Sequence, residues 1–225
     1  MGRKPLTRTL DVHVNGRLAG HYRYRPSAGA SFQYAKDWLG WAYAFPISRR
    51  LPLGPGLRAG DEVDAVFENL LPDGPDLRKT IAERTEARSD RPHDLLAAIG
   101  QDCVGAMQFL PHGATASDPF RIDGTPQSDA EIADTLRSLS TTPLGIAPGA
   151  PFRISLAGAQ EKTAYLRKDG IWLRPIGSTP TTHIFKRPMG IVGGGLDMSG
   201  SVENEYFCLL LAREMALPLM SSPPP

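Results

Sequence analysis

Apolar and polar residues alternate loosely from Leu6 to Val14, and the run ends at Asn15-Gly16. A period of two marks a strand with one buried face, and Asn-Gly is the favoured pair for a two-residue hairpin turn. Arg17 to Arg25 reads as the returning strand, Phe32 to Leu39 as a third, and Pro46 to Pro55 as irregular. From Asp61 the period changes. Val63, Val66, Phe67, Leu70 and Leu71 recur at helical spacing, and the acidic first turn suits the helix dipole. Pro72-Asp73-Gly74-Pro75 stops that helix. A second, Asp76 to Ala87, turns Leu77 and Ile81 inward; a third, Pro92 to Ile99, is closed by Gly100; Val104 to Leu110 returns as a strand.

The pattern then loosens. His112 to Pro126 reads as a polar, turn-rich connector. Ser128-Asp129-Ala130-Glu131 is a capping box that starts a helix through Leu139, with Ile132, Leu136 and Leu139 inward. Thr141 to Pro151 is a Pro/Gly loop. A strand-like start at Phe152 passes through small residues and resumes at Thr163 to Arg167. Lys168-Asp169-Gly170 is a hairpin turn, followed by strands Ile171 to Arg174 and Thr181 to Lys186. Gly193 to Gly195 reads as flexible, Ser201 as an N-cap, and Val202 to Met215 as the last helix. The tail Leu217 to Pro225 is too rich in proline for another helix or inner strand. These elements predict an α+β fold in three parts. Residues 1–112 form a small β-rich unit with helices, residues 113–151 a connector holding the helix 128–139, and residues 152–225 an antiparallel lobe.

Composition narrows the function classes. With 41% apolar and 22% charged residues, the 225-residue chain has the make-up of a soluble globular protein. A net charge of +1 argues against nucleic-acid binding by bulk charge. No apolar run reaches membrane-spanning length, and Met1-Gly-Arg-Lys leads into a β-like segment and not a secretory one, so a cytoplasmic location is expected. Cys103 and Cys208 lie far apart and read as buried free thiols. The five histidines show no ligand spacing, so no metal site is predicted.

The stretch from Phe152 to Ala164 carries the candidate chemistry. Ala157, Gly158 and Ala159 let a ligand approach the backbone, whose N–H groups in such a turn form an anion-binding concavity. Lys162 adds a cation beside it and Ser155 a hydroxyl at its mouth. This is neither a Walker loop nor the glycine-rich loop of ordinary protein kinases. It is either a phosphate cradle or a plain hairpin with small residues at a tight place. Lys186 ends an apolar β-like segment and either faces water or grips the same anion. Glu203 and Glu205, one helix start further on, are either its partners or first-turn glutamates on the helix dipole. Thr179-Pro-Thr-Thr-His183 is either a hydroxyl-presenting turn or a polar lead-in. A phosphate loop, a strand lysine and a helix carboxylate behind it are the parts of a nucleotide-gripping lobe.

Six segments, in order, resemble one family. They are residues 67–73 (Phe-Glu-Asn-Leu-Leu-Pro-Asp), 93–100 (His-Asp-Leu-Leu-Ala-Ala-Ile-Gly), 102–106 (Asp-Cys-Val-Gly-Ala), 152–164, 179–186 and 203–212 (Glu-Asn-Glu-Tyr-Phe-Cys-Leu-Leu-Leu-Ala). The family is the HipA toxins, serine/threonine kinases of bacterial toxin–antitoxin modules. The resemblance implies that Ser155 autophosphorylates and thereby silences the kinase. It implies that Leu156, Ala157, Gly158, Ala159, Gln160, Glu161 and Lys162 form the loop over the ATP phosphates, and that Lys186 grips those phosphates. It implies ATP and Mg²⁺ as cofactors and a HipB-like helix-turn-helix antitoxin that also binds operator DNA. The family's protein substrate is glutamyl-tRNA synthetase, whose modification stalls translation and leads to growth arrest and drug tolerance. Members of the family continue for roughly as many residues again, and that part holds the catalytic aspartate and the Mg²⁺-binding aspartate. The chain is therefore expected to be the kinase-like N-lobe side of such an enzyme, with the C-lobe absent, no catalytic residue of its own and no phosphoryl transfer by itself. The alternative is a non-catalytic binding or regulatory module of a split toxin–antitoxin kinase.

Overall fold

The structure, a computed structural model, describes residues 8–72, 74–103, 106–116, 118–139 and 162–217. Strands β1 (Arg8–Val14) and β2 (Arg17–Arg25) form the predicted hairpin. Asn15 and Gly16 turn it with φ of 48° and 76°, the left-handed pair that a tight hairpin needs. The register shifts at Val12 and His13, which pair with Gly20 and Leu18, so Ala19 is the extra residue of a bulge in β2. Strand β3 (Gly29–Tyr34) pairs with β2, and the short β4 (Arg58–Ala59) pairs with β3. Strand β5 (Met107–Pro111) lies on the other side of β1, giving the order β4-β3-β2-β1-β5, all antiparallel.

Four helices belong to this unit: α1 (Lys36–Leu39), α2 (Asp61–Glu68), α3 (Pro75–Arg84) and α4 (Pro92–Ile99). The sheet turns Leu10, Val12, Val14, Tyr22 and Phe32 into one core with Phe67, Leu95, Leu96 and Phe109. Phe67 is its hub. Its ring lies 4.4 Å from Tyr22, 5.6 Å from Phe32 and 5.3 Å from Phe109, at the tilted and edge-on angles that aromatic quadrupoles favour. The buried Tyr22 hydroxyl donates to Asp64 at 2.7 Å, so the polar tip is not left unsatisfied. The irregular segment before α2 is pinned by side chains. Tyr34 donates to the Leu51 carbonyl at 2.5 Å and accepts from the Ile47 amide, and Trp38 Nε1 donates to the Phe45 carbonyl.

The second sheet has the order β6-β8-β7-β9. Its strands are β6 (Gly124–Gln127), β7 (Lys162–Lys168), β8 (Ile171–Pro175) and β9 (His183–Lys186). Asp169 and Gly170, with φ of 51° and 79°, turn the β7–β8 hairpin. Helix α5 (Asp129–Ser138) starts at the predicted capping box: the Ser128 hydroxyl accepts from the Glu131 amide, and the Glu131 carboxylate accepts from the Ser128 amide. Strands β10 (Gly190–Val192) and β11 (Leu196–Met198) form a small hairpin before α6 (Ser201–Glu214).

Several expectations are corrected. The third strand ends at Tyr34, where the chain tightens into α1, because Trp38 is drawn into the core. The second helix takes Pro75 as its first residue and stops at Arg84, proline being well suited to that position. The connector contains a strand, β6; Pro126 hides it, and proline is tolerated there because β6 is an edge. The glycines at 193–195 lie inside the β10–β11 hairpin. Ser201 is not the N-cap of α6; that position is Gly200, and the Ser201 hydroxyl accepts from the Met189 amide. Cys103 is buried as expected but Cys208 is exposed. Among the described residues no helix is long and apolar enough to cross a membrane.

Candidate functional site

The predicted site residues that the structure describes gather at one end of the second sheet. Lys162, the first residue of β7, is the direct antiparallel partner of Lys186, the last residue of β9. Directly opposed residues on neighbouring strands share a face, so two ammonium groups emerge side by side. Like charges so placed repel in the absence of an anion. Burial pushes the Lys162 amine below the usual lysine range, and the Lys186 cation adds to that push.

Helix α6 supplies the counter-charge. Lys186 Nζ meets Glu205 Oε1 at 2.5 Å, with both side chains partly exposed. At that exposure the contact contributes little to stability. Its effect is positional, holding the Lys186 stem toward α6 and away from bulk water. Of the two candidate glutamates it is Glu205 that meets the lysine; Glu203 occupies the first turn of α6, where a negative charge suits the dipole. The start of α6 is itself tied back, since the Met189 amide donates to Ser201.

The next residue, Arg187, ties a third element to the same place. Its guanidinium donates to the carbonyls of Leu136 and Arg137 at 3.2 and 3.3 Å, satisfying orphan acceptors in the last turn of α5. Helix α5 precedes residues 140–161 and β7 follows them, so both described flanks of that stretch are fastened to the end of β9. Ser155 and Leu156, Ala157, Gly158, Ala159, Gln160 and Glu161 lie outside the described residues.

Two of the threonines between 179 and 182 have structural duties. Thr179 is buried and its hydroxyl accepts from the Asp123 amide at 2.8 Å, while the Thr182 hydroxyl accepts from the Arg167 amide at 2.7 Å. The polar lead-in is thus the reading that fits. Spacing along the chain could not have revealed the Lys162–Lys186 register, because it depends on how β9 returns beside β7. The lysine pair fits a phosphate group. Among the described residues no set of three or more metal-ligating side chains stands beside it.

Two family models match the chain. One, the HipA N-terminal domain, matches residues 10–110, and the other, the HipA-like C-terminal domain, matches residues 154–222. The second match leaves the expected absence of the C-lobe unconfirmed, because strands β7, β8 and β9 and helix α6 fall inside the C-terminal domain's own model. The serine/threonine-protein kinase toxin HipA of Shewanella oneidensis is 28% identical over 181 residues, 80% of this chain and 40% of that protein. Y4mE of Sinorhizobium fredii is 30% identical over 213 residues, 93% of this chain and 49% of that protein. A chain in the solved complex of Shewanella oneidensis HipA, HipB and operator DNA superposes with a TM-score of 0.67 at 25% identity, covering 94% of this chain and 46% of that one. The chain thus spans about half the length of the relatives it matches, or less. With both halves matched in order and the fold in agreement, the chain belongs to the HipA family.

Proposed function

We propose that residues 1–225 supply the phosphate-gripping part of a HipA-type serine/threonine kinase of a toxin–antitoxin module. The observation that carries this reading is the in-register pair Lys162–Lys186, with Glu205 behind Lys186. In this reading the two amines neutralise the β- and γ-phosphates of ATP, and Glu205 keeps Lys186 extended toward them. Residues 156–161 close over the same phosphates, and Ser155 is the hydroxyl that takes a phosphoryl group in self-inactivation. A HipB-like antitoxin, itself bound to operator DNA, is the partner, and glutamyl-tRNA synthetase is the protein substrate. The groups that place the metal and activate the acceptor hydroxyl are assigned to sequence outside these residues. Phosphoryl transfer depends on those groups. The reading therefore expects nucleotide binding without catalysis from residues 1–225. A second reading, a binding module that completes or regulates another kinase chain, is favoured by the exposed Phe207 and Leu211 on α6 and Met215 at its C-terminal cap.

Calorimetric titration with ATP tests the first reading. Lys186→Ala should weaken binding by roughly tenfold to a hundredfold, the worth of one charge-assisted hydrogen bond. Unchanged affinity in Lys186→Ala would remove this lysine from the site and the phosphate-gripping role with it.

A further inference from the structure

The face of the first sheet opposite its aromatic core carries a cluster that the kinase reading does not use. Asp11 on β1 and His21 on β2 are direct cross-strand partners. His112 follows β5 in a turn that doubles back over β1, and Gly113, with φ of 82°, gives that turn its left-handed step. His21 Nδ1 lies 2.6 Å and His112 Nδ1 2.8 Å from the same oxygen, Asp11 Oδ1. The two rings stand edge to face at 82°, with centroids 5.4 Å apart. The other carboxylate oxygen, Oδ2, accepts from the Gly113 amide at 2.8 Å. The Asp11 carboxylate is buried, whereas the His112 side chain is 63% exposed.

We propose that Asp11, His21 and His112 form a binding site for a divalent transition-metal ion of the Zn²⁺ type. Two imidazole nitrogens and one carboxylate oxygen are a donor set that borderline ions favour. The three ligand atoms lie within 4.8 Å of one another. A tetrahedral ion with bonds of about 2.0–2.1 Å needs them about 3.4 Å apart. The imidazoles therefore withdraw from Oδ1 by somewhat more than half an ångström to admit the ion. Each ring then carries its proton on Nε2 and offers the Nδ1 lone pair. The backbone amide on Oδ2 is the outer contact that keeps Oδ1 aimed at both rings, a support characteristic of metal-ligating carboxylates. The exposed side of His112 leaves the fourth position open to water. Sequence spacing concealed the group because its members come from residues 11, 21 and 112, which only the sheet brings together.

The test uses the tag-free 225-residue chain, stripped with a chelator and titrated with Zn²⁺ by calorimetry and with Co²⁺ by visible absorption. One equivalent should bind, with the Co²⁺ spectrum of a four-coordinate site. His112→Gln, at an exposed position, should weaken binding by about tenfold or more, and His21→Gln likewise. Cys208→Ser should leave binding intact, separating the site from the exposed thiol. Absence of binding to the unaltered chain, or undiminished binding to both histidine variants, would overturn the proposal. Neither outcome bears on ATP binding, which is measured separately.

Discussion

The two sheets of this chain are built on opposite plans. The first is anchored by an aromatic centre in which Tyr22, Phe32, Trp38, Phe67 and Phe109 have almost no contact with solvent. Among the described residues the second buries little beyond Ala164, Tyr165, Leu166, Ile132 and Leu139, and no residue of α6 is buried. On its core face the first sheet opposes Leu10 to Tyr22 and Tyr22 to Phe32; the second opposes two lysines at one end. Burial of apolar area is the dominant stabilising term and like charges subtract from it. The first sheet is therefore the stable platform, and the candidate chemistry sits where the structure is least reinforced. Ligand-gripping elements commonly lie at that low-stability end.

Three measurements would break or sharpen this contrast. The largest effect should come from Phe67→Ala, which empties the hub of the first core and should cost about 3–5 kcal/mol in urea unfolding. A loss below about 1 kcal/mol would mean the aromatic centre does not dominate stability. A smaller effect should appear on acidification. His93 is buried against Tyr22 with neither ring nitrogen hydrogen-bonded, and burial, then the Arg8 cation, lower its pKa from 6.5. The unfolded chain takes up a proton near pH 6.5 that the folded chain refuses. Stability should be fully present above that pH and should fall as pH drops from 7 toward 5. His93→Leu should flatten that slope, and an unchanged slope would assign it elsewhere. The smallest effect is expected in the second sheet. The Tyr165 hydroxyl is buried with no hydrogen-bond partner. Tyr165→Phe should change stability by less than about 1 kcal/mol, or raise it, because an unsatisfied polar atom is removed. A larger loss would reveal a contact holding that hydroxyl.

What the chain's pattern revealed follows the same division. The β1–β2 hairpin, α2, α4 and the capping box of α5 were legible because each carries a local signal: a turn pair, a helical period, or a Ser/Glu spacing. Strand β6 was not, since Gly-Thr-Pro-Gln has no period and contains proline; it exists because β8 offers it an edge. Lys186 and Glu205 could be named as candidates from their places along the chain. Their contact, the Lys162 register and the hold of Arg187 on α5 are products of tertiary pairing. Asp11, His21 and His112 carried no signal at all, since their separations in sequence are set by strand return and not by any ligand repeat.

The end of β9 has one more consequence. Among the described residues this strand closes its sheet with an unpaired side, and such a margin invites another chain to zip onto it. Here the margin runs for only four residues, His183–Lys186, and is followed at once by Arg187 and Pro188. It is too short to template a neighbour, its last side chain is charged, and Pro188 has no amide hydrogen to offer. The short length, the terminal charge and the following proline therefore guard the protein against self-association along that rim.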